Sequence, residues 1–218
     1  MRLVYINPNS TEAMTQGVVD IASQALPDAD IIGLTNHAGP PAIEGPDDGE
    51  MAVTGLIDLI PKAKALAADA IIIACFDDTG LAEMRKAADC PVLGIGQSAY
   101  AMAQLLGVQF SVVTSLAVSI PVIEGNIKAT GFEPICRSVR ASGLGVLEID
   151  AGAPETILRL SEEINLAQIQ DQATAVVLGC AGMAPLSKTL ADTTDILLID
   201  GVAASAQLAR SAVIFTQG

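Results

Sequence analysis

A chain of 218 residues with 51% hydrophobic and 17% charged side chains can bury enough apolar surface for one large or two small domains, which excludes disorder. Eleven Lys+Arg against 25 Asp+Glu leave a formal charge of −14, which repels phosphate backbones and anionic lipid, so neither nucleic acid nor a membrane is an expected partner. A single histidine, His37, removes most zinc sites, Ser-His-Asp triads and Cys-His dyads, and leaves chemistry to cysteines, carboxylates, hydroxyls and backbone amides.

The first apolar run, 3–6, turns polar at Asn7, too soon for a signal-peptide core of roughly 7–15 residues. The most apolar stretch, 63–76, carries Lys64 and Asp69 and falls short of the roughly 20 residues a membrane span needs. The four cysteines form no CxxC pair and read as reduced thiols, so a cytoplasmic protein is expected.

Strand-like runs at 3–6, 31–34, 70–75, 92–95, 110–114, 138–140, 175–179 and 196–199 alternate with helical segments. The helical segments are 11–26, 49–68, 80–88, 98–106, 119–130, 154–172, 184–190 and 202–212. Continuous apolar strands bracketed by helices predict an α/β fold whose mainly parallel sheets are covered on both faces. The chain also repeats itself. Residues 69–75 have a counterpart at 174–180, so that Cys75 and Cys180 stand 105 residues apart, and three further strands match in order under nearly the same shift. This predicts two similar α/β domains related by a pseudo-two-fold axis, residues 1–97 with 203–218 and residues 98–202.

Cys75 and Cys180 each close an apolar strand and enter a glycine-containing loop, Cys75-Phe76-Asp77-Asp78-Thr79-Gly80 and Cys180-Ala181-Gly182-Met183. In open parallel sheets ligands bind beyond the carboxyl ends of the strands, where turn amides and a helix N-terminus favour a thiolate. A lone cysteine is ordinarily a small core residue, but two at one point of a repeated unit are expected to face each other across a cleft. Cys90 and Cys136 lack such loops and read as structural.

The turn Asn7-Pro8-Asn9-Ser10-Thr11-Glu12 follows the first strand, and Asn9 with Glu12 reads as a capping box whose amides suit a carbonyl or anionic ligand. Thr114-Ser115 holds the corresponding place in the second half. His37 reads as a solvated loop residue, and 44–50 as a solvated, mobile rim or lid whose spacing does not match an EF-hand. Gly94-Ile95-Gly96 lacks the third glycine of a dinucleotide fingerprint.

Asn7-Pro8-Asn9-Ser10-Thr11, the loop from Ala74 to Leu81, Phe110-Ser111-Val112-Val113-Thr114, Pro121-Val122-Ile123-Glu124 and Leu178-Gly179-Cys180-Ala181-Gly182-Met183 together resemble the hydantoin racemases of the aspartate/glutamate/hydantoin racemase superfamily. The resemblance runs nearly end to end. It implies an active site between two α/β domains, no cofactor, and Cys75 and Cys180 as the acid/base pair. Superfamily members acting on free amino acids usually follow the second cysteine with Thr-His; Ala181-Gly182 stand here instead, which points to a neutral substrate.

The expected function is therefore cofactor-independent racemisation of a small cyclic ureide, a 5-substituted hydantoin or allantoin, by a homo-oligomer. Backbone amides around Pro8, Asn9, Phe76, Asp77, Ala181 and Gly182 are expected to bind the developing enolate, assisted by Thr114 and Ser115. No metal is expected, so activity is expected to survive dialysis against EDTA. The alternatives are a decarboxylase or cis-trans isomerase of the superfamily, or a two-lobed binding or thiol-sensing module without turnover.

Overall fold

Eight short strands, most of them rich in Val, Ile and Leu, build two parallel sheets in the computed structural model, which describes residues 1–217. Strands β1 (Arg2–Asn7), β2 (Asp30–Thr35), β3 (Ala70–Ile73) and β4 (Val92–Gly94) lie in the order β2-β1-β3-β4. Strands β5 (Phe110–Thr114), β6 (Cys136–Ala141), β7 (Ala175–Gly179) and β8 (Leu197–Asp200) repeat that order as β6-β5-β7-β8. The repeat extends to register, since Leu3 pairs with Ala70 as Phe110 pairs with Ala175, and Ile6 with Ile73 as Val113 with Leu178. β3 and β7 are buried along their whole length, as strands covered on both faces must be, which is why they read as unbroken apolar runs.

The helices are α1 (Glu12–Ala25), α2 (Pro46–Asp58), α3 (Ile60–Ala65), α4 (Leu81–Ala87), α5 (Ile95–Leu105), α6 (Ile120–Ala129), α7 (Val146–Ala151), α8 (Pro154–Gln170), α9 (Ser187–Ala191) and α10 (Gly201–Gln217). The single helix expected over 49–68 starts earlier and breaks at Leu59. Pro61 cannot donate to the preceding turn and is accommodated only in the first turn of a new helix. The helix expected over 184–190 begins as a 3-10 stretch, Ala181–Leu186, with Pro185 inside it, and becomes α-helical at Ser187. The short α7 has no counterpart in the sequence reading. No helix among the described residues is long and apolar enough to cross a membrane.

One continuous core joins the two sheets through α5 and α10, which pack on each other. Three of the four phenylalanines gather there around Tyr100. The Tyr100 ring stacks on Phe110 at 5.6 Å and meets Phe76 edge-on at 5.7 Å, contacts of about 0.5–1.5 kcal/mol each beyond area burial. Phe76 follows Cys75 directly, so this cluster fixes the loop that carries the first thiol. α10 is tied back to β1 by Tyr5, whose hydroxyl lies 3.0 Å from that of Ser205.

Candidate active site

In each sheet the chain leaves the two central strands in opposite directions, and the crevice beyond such a switch point is where α/β sheets bind ligands. Four loops converge there: one beyond each of β1 and β3, and one beyond each of β5 and β7. They border a narrow cleft. Of the residues predicted from sequence, Asn9, Cys75, Phe76, Asp77, Thr114, Ser115, Cys180 and Ala181 line it together. Pro8 and Gly182, expected at the site, are not among the residues lining the cleft. The Pro8 carbonyl accepts a hydrogen bond from Asn36 Nδ2 at 3.0 Å. The Gly182 amide donates to Cys180 Sγ. Ala74, Gly179, Met14, Ile43, Ser119 and Val146 also line the cleft; Met14 and Ser119 lie within a few residues of the motifs but carry no chemical signal of their own, and Ile43 and Val146 come from segments brought in only by the fold.

The thiols sit in matched surroundings. Cys75 Sγ accepts from the Thr79 hydroxyl at 3.4 Å and from the Asp77 amide, as Cys180 Sγ does from Gly182. Burial nonetheless pushes both thiols up, Cys180 to about 12 and Cys75 further, and the Asp77 carboxylate acts on both in the same direction. Turn amides were expected to favour a thiolate; they are present, but desolvation outweighs them, so both sulfurs hold their protons in the free protein.

The polar residues divide their work differently from the expectation. Asn9 makes no capping box with Glu12: Thr11 is the N-cap of α1 and has no side-chain cap bond. Instead Asn9 Oδ1 accepts from the Thr11 amide at 2.9 Å and from Asn7 Nδ2 at 2.8 Å, while its own Nδ2 meets only the weak acceptor Met14 Sδ at 3.4 Å. The Asn9 amide is committed to Asn7 Oδ1, which leaves the side-chain N–H to serve a ligand. Thr114 donates its hydroxyl to the Gly179 carbonyl at 2.9 Å, so toward the cleft it offers a lone pair and not the donor expected of it. His37 is exposed beside Glu12, as a solvated loop residue.

The two adjacent carboxylates have separate roles. Asp78, at φ +50°, turns back so that Oδ1 and Oδ2 accept from the Gly96 and Gln97 amides at 3.0 and 2.7 Å, capping α5. Asp77 lines the cleft beside Ser119. Burial raises Asp77 to about 6 and Asp78 to about 7. An unfolded chain releases these protons near pH 4. Between pH 4 and 7 the folded state therefore binds more protons, and stability falls as pH rises. Asp78→Asn is expected to flatten this slope by roughly 2 kcal/mol across the window, about half the ceiling set by 1.36 kcal/mol per pKa unit. Denaturant midpoints at pH 4.5 and 7.5 measure it, and equal slopes in both proteins would refute it.

The segment read as a solvated, mobile rim is folded. Ala42 and Ile43 are buried, α2 starts at Pro46, and Asp48 Oδ2 accepts from the Glu44 amide at 2.9 Å. Glu44 Oε1 reaches across to the Val146 amide at the start of α7, 2.7 Å away, so this segment joins the two halves beside the cleft.

The Asp/Glu/Hydantoin racemase family model matches residues 3–209. A hydantoin racemase of Rhizobium meliloti is 39% identical over 97% of this chain and 88% of its own length. One from Pseudomonas sp. (strain NS671) is 35% identical over 98% and 86%. The solved structure of an allantoin racemase from Klebsiella pneumoniae superposes with a TM-score of 0.94 at 32% identity, covering 99% of this chain and 89% of that one. A glutamate racemase from Francisella tularensis shares the fold with a TM-score of 0.73 at 17% identity.

Proposed function

The chain belongs to the Asp/Glu/hydantoin racemase family, and we propose that this racemase inverts the stereocentre of a neutral cyclic ureide, a 5-substituted hydantoin or allantoin, by proton transfer between Cys75 and Cys180. The observation that carries the reading is positional: the two thiols occupy the same point of two repeated sheets and line one small cleft.

Inversion at a carbon between a carbonyl and a nitrogen needs a base on one face and an acid on the other. One thiol first gives up its proton to solvent, leaving one thiolate and one thiol. The thiolate, raised in basicity by burial and by Asp77, takes the C–H proton and leaves an enolate. The opposite thiol then delivers its proton to the other face, and the roles exchange for the other hand. Cys180 pushes the Cys75 thiol further up, and two thiols coupled in this way titrate as a pair, which keeps one protonated while the other works. The Asn9 Nδ2 N–H is the side-chain donor best placed to turn from Met14 to a substrate carbonyl as charge develops on its oxygen.

Among the described residues no Lys or Arg lines the cleft, so an amino-acid carboxylate would lose hydration without an ionic partner. The decay of optical rotation is therefore expected with an enantiopure 5-alkylhydantoin or allantoin and not with L-glutamate at equal enzyme concentration, and iodoacetamide is expected to abolish it. Faster decay with glutamate would overturn the substrate class.

A further inference from the structure

Asp77 is the one charged acceptor lining the cleft among the described residues. Its backbone is held at both ends: the amide donates to Cys75 Sγ, and the carbonyl accepts from Asn126 Nδ2 on α6 at 2.8 Å. The side chain lies against the cleft, where the neighbouring Ser119 draws the carboxyl down against the burial that raises it. Oδ2 is buried and has no hydrogen-bond partner among the described residues. Buried carboxylate oxygens are ordinarily paired, because an unmet acceptor in low dielectric carries its full desolvation cost. Asp78, one residue on, shows what pairing looks like in this loop, with both oxygens filled by amides. No cation lines the cleft to pair with Asp77, and the other carboxylates that act on Cys180, Asp150 and Glu44, only deepen the negative field.

We infer that Asp77 is a specificity-determining residue, whose free Oδ2 accepts a hydrogen bond from an N–H group of the substrate. The inference rests on the racemase reading and narrows it: the substrate class is one that presents nitrogen-bound hydrogen to this wall. Carboxylate- or phosphate-bearing substituents are excluded by the same oxygen. The donor has two possible sources with one chemistry, a ring N–H of the ureide or an N–H of its substituent. At neutral pH the carboxyl, raised only to about 6, is largely ionised and so an acceptor.

The test is an Asp77→Asn variant assayed for kcat/KM on three substrates: a 5-alkylhydantoin, the same ring methylated on both nitrogens, and allantoin, whose substituent is a ureido group. A charged hydrogen bond of this kind is expected to make a difference of about ten- to a hundredfold. A loss confined to the two substrates with free ring N–H groups, equal in size, supports the inference with the ring as source. A loss largest for allantoin, with the two alkyl compounds alike, supports it with the substituent as source. An equal loss on all three, or no loss, overturns the inference while leaving the racemase reading standing. Failure of the unaltered protein on all three would instead remove the racemase reading. Thermal melting of the unliganded variant is a second readout. Removing an unpaired buried charge is expected to leave the midpoint unchanged or raise it at pH 7.5, and a clear fall would show that the carboxylate is a structural partner, overturning the inference.

Discussion

Replacing Cys75 or Cys180 by serine is expected to lower racemisation in both directions by about a thousandfold or more, the scale set by loss of a positioned acid or base. Serine keeps the volume and a hydroxyl but does not ionise near neutral pH, so the variant loses one face of the proton exchange and keeps its packing. The remaining cysteine still faces one side of the substrate carbon. It can remove the proton of one enantiomer and return one from solvent to the same face, without inversion. Each variant is therefore expected to exchange solvent deuterium into one enantiomer only, the opposite one in the two cases. Proton NMR in deuterated buffer reads the exchange and polarimetry the inversion. Near-normal inversion by either variant would remove the two-thiol mechanism, and exchange of the same enantiomer by both would show that the thiols do not face each other across the substrate.

The pair was legible in the sequence because its signal is local and doubled: an apolar strand, a cysteine and a glycine loop, twice, 105 residues apart. The central strands β3 and β7 were legible because burial on both faces writes itself as a nearly uninterrupted apolar run, whereas the edge strand β6, half-exposed and carrying Arg137 and Arg140, showed only part of its length. What was not legible depends on partners far away in the chain. The segment around Glu44 has the composition of a loop, yet its carboxylate is held by the Val146 amide 102 residues on. Asp77 and Asp78 are chemically identical neighbours, and only the αL turn at Asp78 sends one to the α5 amides and the other to the cleft. The thiols' elevation was likewise hidden, because the amides that favour ionisation are visible in a turn motif and the burial that opposes it is not. The break at Leu59 is a different kind of miss, since Pro61 was there to be read.

Gly96→Ala is expected to damage both stability and catalysis, although it touches neither thiol. Gly94-Ile95-Gly96 is not a nucleotide loop; its glycines are set by how closely the Cys75 loop lies on the start of α5. A Cβ at Gly96 would collide with the Phe76 carbonyl oxygen, and one at Gly94 with the Asp78 carboxylate. The obstacle at Gly96 is backbone and cannot rotate away, so relief must come from moving the 76–78 loop or the first turn of α5. Either movement stretches the bonds from Gly96 and Gln97 to Asp78 and shifts Phe76 against Tyr100, between the residues that present Cys75 and Asp77. Overpacking of this kind costs about 1–3 kcal/mol, to which the strained cap adds. At about 2–4 °C per kcal/mol for a chain of this size, a fall of roughly 5–10 °C in Tm is expected. A displacement of about 1 Å in a reacting group costs on the order of a hundredfold in rate, so kcat/KM is expected to fall by more than the lost stability alone would explain at 25 °C. Gly125→Ala is the control. Gly125 lies inside α6, and a Cβ there meets nothing within 4 Å, so the change is expected to stabilise by up to about 1 kcal/mol and leave kcat/KM unaltered. Calorimetry and optical-rotation assays on the two variants decide it. A Gly96→Ala protein that melts and turns over like Gly125→Ala would mean that the Cys75 loop is not held by α5.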